Sequence, residues 1–164
     1  MGSGEREQPR DVTVRPATRE DVALLGAFNR AMALETEGKE LDPERLRAGI
    51  EAVFTDPARG RYLVAERDGA AVGSLLLTLE WSDWRNGEFW WIQSVYVAPE
   101  ARRGGVFAAL YHAVVEEARG TAGVAGIRLY VERENEGAQR VYEALGMQRS
   151  GYRFYEVDFV LGEK

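Results

Sequence analysis

The sequence predicts a mixed α/β fold of the α+β kind, with elements in the order β-α-α-β-β-β-α-β-α-β. Three observations carry this. Two hairpin dipeptides, Asp68-Gly69 and Asn86-Gly87, separate three runs rich in apolar and aromatic residues. A strongly amphipathic stretch, VFAALYHAVVEEAR, follows the third run. Strand-like and helix-like segments then alternate to the C-terminus.

Taken in order, VTVRP at 12–16 alternates as a short strand does. Thr18 followed by Asp21 marks a helix start, and Val22, Leu25, Phe28 or Asn29, and Met32 recur at helical spacing. Asp42-Pro43-Glu44 opens a second helix, with Asp as cap and Pro in the first turn. Leu46, Ile50, Val53 and Phe54 form its apolar stripe. Strands are expected at 61–67, 72–81 and 88–97, then a helix after the RRGG turn and a strand at 126–132. A short helix at 136–146, closed by Gly146, and a last strand at 152–160 (YRFYEVDFV) complete the order.

The chain has 164 residues, 45% of them hydrophobic and 29% charged, which fits one globular domain over 11–164 and argues against wholesale disorder. The first ten residues, MGSGEREQPR, have no apolar core and read as a flexible tail. No apolar run approaches the length of a bilayer span, so no membrane partner is expected. The absence of cysteine removes disulfides, thiolate nucleophiles and Cys-type zinc sites, and no other metal constellation is visible. A cytoplasmic location is the simplest fit. A formal net charge of −6 argues against a general nucleic-acid binder but leaves room for one basic anion site.

That site is the segment from Val95 to Ala108. A strand (Val95, Tyr96, Val97) stops at Pro99. A basic turn, Arg102-Arg103-Gly104-Gly105, leads into Val106, Phe107 and Ala108 at the head of a helix. Helix N-termini present outward N–H groups and a partial positive charge, and two glycines let a phosphate approach the backbone. A pyrophosphate suits such a turn. The Gly-Lys-Ser/Thr ending of a Walker loop and the full Rossmann glycine pattern are both missing.

At this point the chain resembles the GCN5-related N-acetyltransferase (GNAT) superfamily, which carries Val-x-Pro and then Arg/Gln-x-x-Gly-x-Gly/Ala after its fourth strand. Val97-Ala98-Pro99, Arg102 and Gly105 match. Phe107 departs, standing where Gly or Ala is usual. Asn135, Ala138, Tyr142, Leu145, Gly146 and Met147 match a second motif downstream. The resemblance covers about residues 12–160. It implies a GNAT-like sheet, central, twisted and mostly antiparallel, of six to seven strands flanked by about four helices. It also implies direct acetyl transfer from acetyl-CoA, as co-substrate, to an amine of a small molecule or peptide. The coenzyme would lie on 102–108 and Asn135, its pantetheine arm along Val95, Tyr96 and Val97. Tyr142 would protonate the leaving thiolate. A monomer or homodimer is expected.

The base is the point of departure. Relatives often place a Glu at the position of Gln93, or one at that of Tyr130. A two-residue Asn86-Gly87 turn would pair Arg85 with Glu88 and set Glu80 opposite Gln93, so Glu80 is the candidate carboxylate. Glu35, Glu37 and Glu40 form an acidic stretch that either recognises a cationic amine or is simply solvated. Trp81, Trp84, Trp90 and Trp91 are read mainly as packing, with a share available to an acceptor pocket. Tyr111 and the lone His112 are read as packing or surface. A catalytically silent acyl-CoA-binding sensor is the alternative to an enzyme.

Overall fold

Residues 12–162 are described in the computed structural model of the protein. They fall into two units, the first ending at Tyr130 and the second beginning at Val131. The expected N-terminal tail lies outside the described residues.

The first unit is a five-stranded sheet in sequential order: β1 (Val12–Pro16), β2 (Arg61–Arg67), β3 (Ala70–Ser82), β4 (Gly87–Val97) and β5 (Val124–Arg128). The first four strands pair antiparallel and β5 joins β4 in parallel. Helices α1 (Val22–Glu37) and α2 (Pro43–Thr55) separate β1 from β2, and α3 (Val106–Arg119) separates β4 from β5.

Local chemistry fixes the element ends. Asp42 caps α2, its carboxylate accepting from the Arg45 N–H at 2.8 Å. Asp68 and Gly69 both take positive φ, 53° and 76°, as a two-residue hairpin turn of this hand requires. The Thr18 N–H donates to the Asp21 carboxylate at 2.7 Å, at a short 3-10 turn that leads into α1. Asp21 also holds Arg15 of β1 at 2.8 Å, and Arg15 donates to Glu66 of β2 at 2.7 Å.

Alternation along the strands gives the sheet two apolar faces. Tyr62 and Val64 point to one face, where Leu25 of α1, Ile50 of α2 and Leu76 pack on them. Leu63, Leu75 and Leu77 point to the other, which α3 covers with Val106, Leu110 and Val114. Burial of these side chains, at roughly 1.5–3 kcal/mol each, is the main drive to this arrangement.

The Asn86-Gly87 turn differs from expectation. β3 and β4 join through a four-residue turn, 83–86, and Ser82 rather than Arg85 opens the ladder, paired with Gly87. Asn86 still adopts positive φ, 47°. Gly87 serves another purpose: a Cβ there would stand 2.7 Å from the Gly123 carbonyl oxygen, where the chain enters β5. The dipeptide signal was genuine, but close backbone approach accounts for its glycine.

The second unit contains α4 (Glu136–Ala144), whose C-terminal turn ends at Gly146 with φ 98°. The last strand expected at 152–160 does not form: this stretch is irregular, and Tyr155 and Phe159 are 87% and 93% exposed. β5 also ends at Arg128, short of the expected 132. Five strands are therefore present among the described residues, not six or seven. β-propensity marked 152–160, but propensity alone does not make a strand without a partner edge.

Candidate functional site

A bulge in β4 sets up the first part of the site. Leu76 faces Gln93 and Ser74 faces Tyr96, so three steps on β4 match two on β3. Ser94 takes φ 50°, in the left-handed region that few non-glycine residues occupy. The extra residue puts Gln93 and Tyr96 on the same face. Tyr96 is buried there and packs on Phe28 of α1, with ring centroids 4.9 Å apart.

The parallel partner strand ends early. Arg128, the last residue of β5, pairs with Trp91. Beyond that point no strand among the described residues pairs with this side of β4, so the main chain through Val95, Tyr96 and Val97 forms an open sheet edge. An extended polar chain can add to such an edge as a further strand would.

The edge runs into the turn that the sequence singled out. Arg103 takes φ 63° and Gly105 φ 77°, and α3 starts at Val106. A non-glycine residue held left-handed at a loop tip is a strain that the surroundings must enforce. Arg67, at the end of β2, does so: its Nη2 donates to the Gly104 carbonyl at 2.7 Å. A Cβ on Gly104 would stand 2.6 Å from that same nitrogen. The first turn of α3 has no preceding turn to receive its N–H groups, and the helix dipole adds positive potential. Glycine, arginine and helix start together fit a pyrophosphate. The Phe107 ring lies against Tyr111, one turn along α3, with centroids 6.2 Å apart. His112 is exposed.

Arg102 is held by contacts within the protein. Its Nε donates to the Val97 carbonyl at 3.0 Å and its Nη2 to Glu35 at 2.6 Å. Glu35 sits in the last turn of α1, where the helix dipole disfavours a carboxylate, and Arg102 offsets that. Glu37 pairs with Lys39 at 3.3 Å.

Between β3 and β4 the register overturns one expectation. Glu80 stands opposite Phe89, not Gln93, because the turn is centred two residues earlier, on 83–86 rather than on the dipeptide 86–87. Its carboxylate accepts from Arg128 Nη1 at 2.6 Å. The Arg128 guanidinium lies 3.5 Å from the Phe89 ring centroid, and that of Arg85 lies 4.8 Å away. Gly126 makes room beneath: a Cβ there would meet Phe89 Cε1 at 2.8 Å. Gln93 donates from Nε2 to Thr78 Oγ1 at 2.5 Å. Trp91 shares this face and contacts Tyr130, with centroids 6.0 Å apart. Trp90 is buried on the opposite face under Arg61, while Trp81 and Trp84 are exposed. Neither Arg67 nor Arg128 carried a signal in the sequence, since each acts through contacts distant along the chain.

In the second unit, Asn135 caps α4, its Oδ1 accepting from the Ala138 N–H at 3.1 Å. Tyr142 lies within α4, half-buried, and burial pushes its phenol pKa up from the usual value. Among the described residues no group of His, Cys, Asp or Glu could hold a metal ion, and no helix is long and apolar enough to cross a membrane.

Comparison with known proteins agrees with this geometry. Solved structures include a "possible acetyltransferase" from Clostridium difficile 630, 41% identical, with a TM-score of 0.83 over 91% of this chain and 98% of that one. A "probable acetyltransferase" is 26% identical, with a TM-score of 0.78 over 90% and 97% of the two chains. A predicted acetyltransferase with acetyl-CoA from Clostridium acetobutylicum, 17% identical, shares the fold, with a TM-score of 0.72 over 92% and 97%. A search of the curated proteins found no match. The model of the acetyltransferase (GNAT) family matches residues 27–147. With three-quarters of its length inside that match, and with the open β4 edge leading to a phosphate-suited turn, the chain belongs to the GNAT acetyltransferase family.

Proposed function

We propose that this protein transfers an acetyl group from acetyl-CoA directly to a primary amine of a small molecule or peptide. The observation that carries the reading is the open edge of β4 leading, through the short 3-10 turn Pro99–Ala101, to the turn at 102–108. It offers main-chain partners to a pantetheine arm and a positive cradle to the pyrophosphate beyond it. Arg67 braces the cradle, and the family resemblance assigns Asn135 to the coenzyme.

In the reaction the amine nitrogen attacks the thioester carbonyl carbon, the carbon–sulfur bond breaks, and the sulfur leaves as thiolate. Tyr142 gives its phenolic proton to that sulfur and is reprotonated from the amine through solvent. A thiolate whose conjugate acid has a pKa of about 8.5 is a weaker base than a phenolate, so the transfer depends on positioning beside the sulfur. Burial favours the protonated phenol, which is the form the step requires.

Glu80 is not assigned the base. Gln93 holds the place on β4, where its Nε2 donates to Thr78 Oγ1. An amide cannot take up the proton, so the amine must arrive neutral or lose its proton to water. A lysine-like amine of pKa about 10.4 is neutral roughly once in 2,500 molecules at pH 7, a cost of about 4.6 kcal/mol; an α-amine near 7.8 needs about 1 kcal/mol. Weakly basic amines are therefore the favoured acceptors.

The same Gln93 favours a second reading, a silent acyl-CoA-binding sensor. Two measurements separate the readings. CoA at one hundred times its dissociation constant should stabilise the protein by about 2.7 kcal/mol, seen as a rise in Tm, and Gly105→Glu should abolish the rise. Amine-dependent release of CoA thiol then distinguishes an enzyme from a sensor, and an unmoved melting curve would count against both.

A further inference from the structure

We propose that Arg128 and Arg85, stacked about Phe89, form an acceptor subsite for a carboxylate, and that the preferred acceptors are peptide α-amines of about four residues bearing a free carboxylate. The inference rests on the acetyl-transfer reading and names the substrate class of that same site.

Three observations support it. The first is charge. Two guanidinium groups stand within cation–π reach of one ring, at 3.5 and 4.8 Å, against the single carboxylate of Glu80. The cluster keeps an excess positive charge. Arg128 spends Nη1 on Glu80, and a planar guanidinium has further donors suited to a second carboxylate. The second is preorganisation and access. The Phe89 ring is buried and seated on Gly126, so it forms a fixed floor beneath Arg128. The Arg128 and Glu80 side chains are 32% and 45% exposed, so a solute can reach them.

The third is spacing. The Arg128 guanidinium lies over Phe89, and Gln93 lies four residues further along β4 on the same face. At about 3.3 Å per residue the carboxylate site and the Gln93–Thr78 pair stand about 13 Å apart along the strand. An amino acid or a dipeptide is too short to bridge that span. An extended tetrapeptide, at about 3.3 Å per residue, is not. Its α-amine, with a pKa near 7.8, also suits a site that has glutamine in place of a carboxylate.

The test uses tetraglycine and tetraglycinamide, which differ only in the terminal carboxylate. Binding of each to the CoA-saturated protein is measured by calorimetry, and acetyl transfer to each as kcat/KM. Wild type should favour tetraglycine at least tenfold in both. Arg128→Gln should bring the two probes within about twofold of each other, chiefly through KM, and Arg85→Gln should narrow the gap in part. Arg85 is exposed, so its variant stands in if Arg128→Gln melts early. Equal handling of the probes by wild type, or a preference that survives both substitutions, overturns the subsite. Carboxylate-dependent binding that Arg128→Gln removes, with no transfer to any amine, upholds the subsite and overturns the transfer reading. Transfer indifferent to the carboxylate does the reverse, and neither binding nor transfer of either probe overturns both.

Discussion

Arg102 Nη2 stands 2.6 Å from Glu35 Oε2, so the turn ahead of α3 is tied to the last turn of α1. Both side chains are close to half exposed, and such a pair contributes at most about 1 kcal/mol to folding. Its effect on ligand binding is expected to be larger than its effect on stability, because Glu35 places a negative charge beside the proposed pyrophosphate site. Glu35→Gln should leave Tm nearly unchanged and tighten CoA about fivefold, equivalent to about 1 kcal/mol. The gain should shrink as salt is raised through the range where the Debye length falls below about 10 Å. Calorimetric titration with CoA at two ionic strengths checks this.

Tyr142→Phe should lower kcat by about 10²–10⁴-fold and leave acetyl-CoA affinity almost untouched. Burial raises the phenol above its ordinary pKa. The acid form therefore predominates up to pH 10, and any loss of rate from its ionisation falls on the alkaline side of that. A decline in kcat between pH 7 and 9 that Tyr142→Phe removes would contradict the assignment.

Gly126→Ala should disturb the Phe89 floor, since the added methyl would stand 2.8 Å from Cε1 of the ring. The ring must tilt, at about 1–3 kcal/mol of stability, and carry the Arg128 guanidinium with it. Denaturant unfolding gives the stability change. A variant as stable as wild type would show that the ring moves freely.

Asp21 governs acid stability. The hydrogen bond from Arg15 holds its carboxyl below the ordinary value, against a smaller opposing effect of burial. A carboxylate whose folded pKa is depressed contributes stability above its unfolded pKa of about 3.9 and loses it as pH falls through the folded value. Asp21→Asn should cost about 1–3 kcal/mol at neutral pH and flatten the fall in Tm below pH 4. An unchanged acid limb would show that other carboxylates control it.

Much of the fold was legible because its signals are local. Asp42-Pro43 opens α2, Asp68-Gly69 turns β2 into β3, and Gly105 marks the head of α3, each through backbone chemistry confined to a few residues. The phosphate-suited turn was legible for the same reason. Register was not, since it depends on where the turn is centred, at 83–86 rather than 86–87, and that decided whether Glu80 faced Gln93 or Phe89. The stretch 152–160 has the alternating aromatic and β-branched composition of a strand but no paired edge. Arg67 and Arg128 were invisible because their contacts, to Gly104 and Glu80, lie 37 and 48 residues away along the chain.

Release of CoA thiol from acetyl-CoA measures acetyl transfer to an amine most directly. With weakly basic primary amines present, thiol should appear in proportion to enzyme and amine, matched mole for mole by acetylated amine in the mass spectrum, and Tyr142→Phe should suppress both. CoA binding seen by melting, with no amine-dependent thiol release from any primary amine between pH 7 and 9, would contradict it.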